Sequence, residues 1–453
     1  MLIDIKTVHL IVNTSPPGPT GEPIFGSSRQ YSSDPLRFIT GVERAYNGIA
    51  AFEMGPMETY MITSPSVIDR ILVGESEQFP KPDFQRDTLG ELLGDGLLLS
   101  DGETWESQRK LASPAFAMSR LASFDERIAR HARKLTARWE PGEQLDIEQE
   151  MTGVTIDVIT DLMLGTDLSE RQLTTLRDNL EPLGERFEPN PLRDALAQWA
   201  PMPSDREYQS AVSVVDGIVD DIIAERRGTE AREDEPMDLL SILLRAQTRG
   251  EQSDEQIRDE VVTMLLAGHD TTALTLTYTW YLLSEHPEKR IRIHEEVDAI
   301  DGIPTMADVQ TFEYLEWTIN EAMRLYPPVY TLFRETAADV DLLGYDVPAG
   351  SLLMLPQWAV HRSPNYWDDP DTFRPERWEP DRNRDRPRFA YFPFGGGPRH
   401  CIGKHLALLE AKLILATIAK QYALSYTGQR PLQLQPSLTL HPRNGMNMSV
   451  VER

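Results

Sequence analysis

The sequence contains very little cysteine and little lysine. Among 453 residues there is one cysteine, Cys401, and only eight of the 45 basic residues are lysines. A single cysteine excludes an internal disulfide framework and any zinc or iron–sulfur site that needs four cysteines. We therefore expect a reducing, cytoplasmic compartment.

Long apolar runs and an excess of positive charge are also missing. No stretch approaches the ~20 apolar residues that cross a bilayer, and the proline-rich lead-in, 1–24, lacks the pattern of a signal peptide, so we expect a soluble protein without a membrane anchor. The net charge of −27 argues against nucleic acid as a partner, because both surfaces would be negative. A carboxylate-rich, lysine-poor surface is typical of adaptation to high salt, and we expect a halophilic protein.

Helical patterns dominate, and the β signals are split between two distant parts of the chain. Short strands are predicted in approximately 25–75 and 335–362, and helices in approximately 102–325 and 401–421. The charged run 225–238 is predicted to be a solvated loop. The fold class is therefore mainly α with a small β region (α+β), and the split β portion favours one domain over 1–453.

The cysteine lies in a glycine-rich loop just before a predicted helix, within FPFGGGPRHCIG (392–403). Unpaired amides and the dipole at a helix N-terminus favour a thiolate. Gly395, Gly396 and Gly397 permit close approach to a flat group, and Arg399 can reach an anion beside it. A lone thiolate presented in this way suits the single protein ligand of a haem iron. The alternative is a cysteine nucleophile that uses a neighbouring histidine, His400 or His405, as its base.

The same loop resembles the haem-binding signature of the cytochrome P-450 family, Phe-Gly-x-Gly-x-Arg-x-Cys-x-Gly, at every fixed position. The resemblance implies the fold of that family, with haem b (iron protoporphyrin IX) between a long distal helix and the cysteine loop. Cys401 is then the axial ligand of the iron. Phe394, Gly395, Arg399 and Gly403 are expected to contact the cofactor.

AGHDTT, midway in a long predicted helix, resembles the oxygen-activation segment of the family. The resemblance implies that Ala267 and Gly268 contact the cofactor, that Thr271 hydrogen-bonds the bound O2, and that Asp270 relays protons. A threonine hydroxyl that competes for the carbonyl one turn back can also open a helix locally. His269 is equally consistent with a packed core residue and with a contact to substrate or water.

Two more motifs concern the haem carboxylates. In WESQR, Trp105 and Arg109 share a helix face, and by resemblance they bind a haem propionate, as does Arg399. Arg334, in YTLFRET, matches a further propionate-binding arginine of many members.

A last pair of motifs is expected to be structural. In EAMR, Glu321 and Arg324 are three apart on a helix and can pair. By resemblance they form a network with Arg377 of FRPERW that fixes the segment before the cysteine loop.

Together these motifs imply a haem-thiolate monooxygenase that hydroxylates a hydrophobic substrate with O2. Electrons from NAD(P)H are expected to arrive through a separate ferredoxin and ferredoxin reductase, and we expect a monomer. Near Cys401, the residues Arg399, His400, Lys404 and Lys412 are candidates for a ferredoxin contact. A peroxide-driven enzyme of the same fold and a non-catalytic haem sensor or electron carrier are the alternatives.

The substrate pocket is predicted from apolar residues on both sides of the motifs. A mobile lid is expected at 181–208, and the motifs resemble those of members that act on long-chain lipids, including fatty acids and carotenoids. The candidate pocket residues are Phe79, Phe84, Leu97, Leu98, Leu99, Phe187, Leu192, Trp199 and Met202.

Overall fold

A 32-residue helix, Asp254–Glu285, runs through the core of the computed structural model, which describes residues 15–189, 204–228 and 238–453. The Ser253 hydroxyl accepts from the Gln256 amide while the Gln256 side chain accepts from the Ser253 amide, a capping box that fixes its first turn. Its second half is buried on every face. We call Asp254–Glu285 the central helix.

The remaining helices surround the central helix. It contacts Ile147–Ile159, Ser204–Gly228, Glu313–Leu325 and Lys404–Ala419; the last of these we call the C-terminal helix. The other α-helices are Ser28–Ser33, Pro35–Ala45, Pro65–Asp69, Asp83–Leu93, Gly102–Ala112, Met118–Leu121, Asp125–Thr136, Glu170–Glu185, Leu239–Thr248, Pro287–Asp298, Met306–Val309, Gln357–Val360 and Pro380–Asn383, with π-helical turns at Arg70–Gly74 and Thr160–Leu164.

The strands form four small sheets. They are β1 (Ile49–Met54), β2 (Met57–Ile62), β3 (Gln144–Asp146), β4 (Leu332–Glu335), β5 (Val340–Leu342), β6 (Tyr345–Val347), β7 (Leu352–Leu355), β8 (Tyr422–Tyr426), β9 (Leu434–Pro436), β10 (Leu440–Pro442) and β11 (Asn447–Glu452). The largest has the order β1-β2-β7-β4, in which β2 and β7 are parallel with Thr59 opposite Leu352. The two β-rich parts of the sequence therefore share one sheet. The others pair β3-β11-β8, β9-β10 and β5-β6.

The structure differs from the sequence expectation in three places. The segment 25–75 holds helices before its hairpin, because Asp34 caps a turn that starts with Pro35 and buries Leu36 and Ile39. Of the run 225–238, residues 229–237 lie outside the described part of the chain, while Arg226 lies in a helix and pairs with the largely buried Asp238, so the two ends of the run are not a solvated loop. The strands after 421 were not predicted, and among them β9 and β10 have three residues each, including a proline, and so carry no alternating pattern.

Within the described ranges, no helix combines the length and the apolar character needed to span a bilayer.

Candidate functional site

A cavity of about 1720 Å³ lies between the cysteine loop and the central helix. Ala267 is exposed in the middle of that helix, Thr271 is half-buried beside it, and the opposite loop presents an exposed Cys401. All three residues line the cavity. Pockets for one drug-sized ligand are about 300–1,000 Å³, so this space admits a large flat group together with a second molecule.

The cysteine loop is held by its own backbone. The Cys401 amide donates to the Phe394 carbonyl over 3.0 Å, and Gly395 has a φ of +66°, which disfavours other residues. A Cβ on Gly397 would lie 1.8 Å from the Leu72 carbonyl oxygen. Gly395 and Gly397 therefore permit a loop path that residues with a Cβ do not favour, Gly397 also permits close packing against the protein, and Gly395 lines the cavity.

Two opposing effects act on the Cys401 thiol. Cys401 is exposed to the cavity, yet the surrounding protein shields it from bulk solvent, and this desolvation raises its pKa. The amides of Gly403 and Lys404 and the Arg109 guanidinium lower the pKa, and the net direction is upward. The helix N-terminus thus favours the thiolate, as expected, but does not outweigh desolvation in the protein alone. A cationic metal bound at the sulfur would supply the missing stabilisation, because a coordinating thiol is deprotonated.

Predicted donors for an anionic group line the cavity beside the loop. Arg399 lies 4.0 Å over the Trp105 ring, donates to the Ser100 carbonyl over 2.7 Å and pairs with Asp101. Arg109, one turn after the tryptophan, donates to the His400 carbonyl over 3.0 Å. The structure therefore brings these predicted side chains to one wall of the cavity.

The same wall also holds Arg334 and Lys81. Burial and the neighbouring Arg399 lower the pKa of Arg334 to about 10. Lys81, which the sequence analysis missed, donates to the Leu98 carbonyl, and burial together with Arg399 and Arg334 lowers its pKa to about 7. Among the described residues, Asp101 is the one carboxylate that raises the pKa of either cation. This wall fits a ligand that carries two carboxylates.

The central helix keeps its regular form through AGHDTT. The Thr271 hydroxyl donates to the Ala267 carbonyl one turn back over 3.2 Å, yet the helix is continuous, so the expected local opening is not present. A Cβ on Gly268 would meet Ile159 Cδ1 at 2.8 Å. Gly268 therefore permits close packing of the central helix against Ile147–Ile159.

Asp270 has a partner that no sequence signal indicated. His441 Nε2, in β10, lies 3.7 Å from Asp270 Oδ1, and its Nδ1 lies 2.7 Å from Glu148 Oε1. The adjacent His269 is buried, and its Nδ1–H donates to the Leu265 carbonyl over 2.6 Å. His269 is thus packed in the core, as one interpretation expected. It also lines the cavity, and a contact with substrate or water stays a prediction.

Glu321, Arg324 and Arg377 meet in a buried cluster. Both Glu321 oxygens accept from Arg324 over 2.8 Å, and Oε1 also accepts from Arg377 over 2.8 Å. Arg324 donates further to the carbonyls of His361 and Pro370. The arrangement ties the helix Glu313–Leu325 to the segment before the cysteine loop.

The expected pocket residues divide into three groups. Phe84, Leu97, Leu98, Leu99 and Phe187 line the cavity. Phe79 does not line it, being 1% exposed in the core beside β2, so that assignment was wrong. Leu192, Trp199 and Met202 lie outside the described residues.

The chain matches the family model for cytochrome P450 over residues 16–447. It is 34% identical to cyclooctat-9-en-7-ol 5-monooxygenase of Streptomyces melanosporofaciens, over 91% of this chain and 90% of that protein. The chain belongs to the cytochrome P450 family. Pentalenene oxygenase of Streptomyces avermitilis is 30% identical over 96% of both chains. The crystal structure of the cytochrome P450DA haem domain superposes with a TM-score of 0.85 at 27% identity, covering 97% of this chain and 98% of that one.

Membership of the cytochrome P450 family makes this chain a monooxygenase with a mainly α fold and a small β region, and implies haem. The cavity fits that group. Its cysteine faces the cavity beside two amides, and Ala267 leaves the surface of the opposite helix open. The side chains of Lys81, Arg109, Arg334 and Arg399 line the same cavity, where they would pair with the carboxylates of a dianionic group.

Proposed function

We propose that this cytochrome P450 hydroxylates a hydrocarbon or its alcohol, with haem b held by Cys401 and electrons delivered by a separate ferredoxin and its reductase. Residues Trp105, Arg109, Arg334, Arg399 and Lys81 hold the haem carboxylates, and Phe394, Gly395, Gly403, Ala267 and Gly268 enclose its faces. Haem ligated by a cysteine thiolate supplies the electron density that favours O–O cleavage. The exposed Cys401 and Ala267 and the half-buried Thr271, which line one cavity, carry this proposal.

Asp270 and Thr271 are the proposed catalytic pair. The Thr271 hydroxyl lines the cavity with its oxygen free to accept while its proton is shared with the Ala267 carbonyl. Asp270 lies one residue earlier and also lines the cavity, and its carboxylate passes a proton to the Thr271 hydroxyl after that hydroxyl has given up its own. The Asp270 and Thr271 side chains both belong to the central helix, and its capped, continuous form fixes their positions.

The apolar lining supports a hydrocarbon substrate. Beyond the predicted side chains, the lining contains Met264, Leu266, Val329, Phe333 and Leu438. A pocket of this composition gains affinity from apolar area and uses few polar contacts for orientation. The name of the first relative contains an alkene alcohol, cyclooctat-9-en-7-ol, and the name of the second contains an alkene, pentalenene. Both compounds agree with this substrate class. Long-chain lipids are the alternative.

Exposed cations near the cysteine support an acidic electron donor. Lys404 starts the C-terminal helix beside Cys401 and is exposed, and the neighbouring candidate His400 is exposed as well. Two earlier candidates are unsuitable, since Arg399 faces the cavity and Lys412 pairs with Glu316. A local basic face offsets the repulsion between two acidic proteins.

The CO difference spectrum of the dithionite-reduced protein tests this function. We expect the strongly red-shifted Soret band that a thiolate ligand produces, and its loss in Cys401→His, which retains a possible ligand. A band at the ordinary haem position in the wild-type protein contradicts thiolate ligation. Spectral titration with an alkene alcohol, with a fatty acid of matched length as comparison, then separates the two substrate classes.

A further inference from the structure

We propose that His441 is a positioning residue for proton delivery, which acts by holding Asp270 and supplying it with a proton. The inference rests on the proton-delivery role proposed for Asp270 above. It adds to the catalytic pair a residue from the β10 strand, far from the central helix in sequence.

The His441 ring lies between two carboxylates. Nδ1 is 2.7 Å from Glu148 Oε1, and Nε2 is 3.7 Å from Asp270 Oδ1. Nε2 also lies 2.8 Å from the Thr439 hydroxyl. Each ring nitrogen thus faces an acceptor, which is the arrangement that favours a proton on both nitrogens.

Three separate elements hold this arrangement in place. Glu148 lies in the first turn of the helix Ile147–Ile159, whose cap Asp146 accepts from the Glu148 amide over 3.0 Å. Tyr278 of the central helix donates to the Leu440 carbonyl of β10 over 2.7 Å. The ring is therefore fixed relative to the helix that carries Asp270.

The charges around His441 favour the imidazolium. Burial lowers the pKa of His441, but Asp270 and Glu148 outweigh burial and raise it to about 9. Two further charged groups from neighbouring elements act on the surroundings of His441: Asp146 of β3 raises the pKa of Glu148, and Arg177 of Glu170–Glu185 lowers that of the buried His269 of the central helix. His441 is therefore charged at neutral pH and loses its charge as the pH rises through about 9.

The proton step at this site needs one bridging water, because 3.7 Å exceeds the length of a hydrogen bond. The Nε2 proton passes through that water to Asp270 Oδ1, the ring becomes neutral with its proton on Nδ1 against Glu148, and Nε2 regains a proton from bulk solvent through the cavity. The same contacts would equally suit a clamp that only ties β10 to the central helix. A clamp does not require the ring to be charged, so the two roles differ in their pH dependence.

The test uses Glu148→Gln, which preserves the size of the side chain and an acceptor for Nδ1 but removes the charge. NADPH oxidation and hydrogen peroxide release by the haem-loaded protein, with ferredoxin and ferredoxin reductase, are measured from about pH 6 to about pH 10 and divided by the wild-type rates. Histidine-selective NMR of the reduced, CO-bound protein gives the pKa of His441 in each variant.

The matched control is His131→Gln. His131 contacts Asp161 over 2.9 Å, a histidine–carboxylate pair of the same kind that does not line the cavity. His441→Gln and Asp270→Asn complete the set.

We expect His441→Gln to lower the relative rate about tenfold or more at neutral pH, and Glu148→Gln to move both the His441 pKa and the high-pH loss of rate down by about one to three pH units. His131→Gln leaves the profile unchanged. A lowered NMR pKa in Glu148→Gln without movement of the rate profile overturns the inference and leaves a clamp. The inference is also overturned if Asp270→Asn lowers the rate while His441→Gln keeps the wild-type rate. If Asp270→Asn itself keeps the wild-type rate, the proposed role of Asp270 is overturned.

Discussion

The environment of Lys81 favours binding of an anionic ligand. It lies buried with Arg334 and Arg399, and these neighbours and burial lower its pKa to about 7. A lysine whose folded pKa lies below its unfolded pKa binds fewer protons in the folded state, so stability of the haem-free protein rises with pH above about 7. A bound dicarboxylate reverses this by pairing with the cation.

Lys81→Met is therefore expected to act in opposite directions with and without haem. The haem-free variant is more stable than wild type near neutral pH, because no buried cation remains, while haem dissociation becomes about tenfold faster through loss of a charged hydrogen bond. Thermal unfolding and haem transfer to apomyoglobin measure the two effects. Lys420→Met, which removes a lysine that donates to the Ile300 carbonyl, serves as the control, and equal effects in both variants contradict the assignment.

Among individual residues, the sequence predicted those cavity residues that belong to recognisable motifs. Arg109, Arg334, Arg399 and Cys401 all line the cavity. Lys81 and His441 were missed, because neither lies in a pattern with a fixed spacing to the others. Their roles arise from long-range contacts, and single-sequence patterns report only neighbours along one element.

At the scale of elements, the buried cluster of Glu321, Arg324 and Arg377 connects a helix to a segment of irregular structure. All three side chains are at most 3% exposed. Glu321→Gln leaves two guanidinium groups without their carboxylate, and we expect a loss of about 3–5 kcal/mol in the free energy of unfolding. Chemical denaturation measures it.

The chain offers a matched comparison. Glu379 and Arg382 have the same spacing and lie at the surface, so Glu379→Gln should cost about 0.5 kcal/mol or less. Similar losses for the two substitutions would show that the buried cluster is not a structural unit.

Gly268→Ala tests the packing of the central helix. The added methyl meets Ile159 Cδ1 at 2.8 Å, and we expect a destabilisation of about 1–3 kcal/mol from overpacking. Ile159→Val removes Cδ1 and should restore part of it. Gly217→Ala, at a helical glycine with open space around it, should instead stabilise by about 0.5–1 kcal/mol; a stabilising Gly268→Ala contradicts the close contact.

The elements themselves were predicted unevenly. Lys404–Ala419 agrees with the predicted helix 401–421, since its leucines recur at helical spacing. Strands β8 to β11 were missed because tertiary pairing, rather than local pattern, determines such short strands. The helices Ser28–Ser33 and Pro35–Ala45 were missed although Asp34-Pro35 is a start signal.

At the scale of the whole molecule, the net charge of −27 dominates the surface. Carboxylates repel one another in the folded state, and salt screens that repulsion. We expect the unfolding temperature to rise by several degrees between dilute and molar potassium chloride. An unchanged or lower unfolding temperature in salt would contradict adaptation to a saline environment.

The parallel pairing of β2 with β7 has a consequence for synthesis on the ribosome. Strand β2 gains its second neighbour only after Leu352, the partner of Thr59 about 290 residues later in the chain, has been synthesised. During translation the hairpin β1-β2 therefore exposes an unpaired edge for most of the time the chain is being made. At about 5–20 residues per second that interval lasts on the order of 15–60 s, so the nascent N-terminal segment is the part of this protein that most needs chaperone protection.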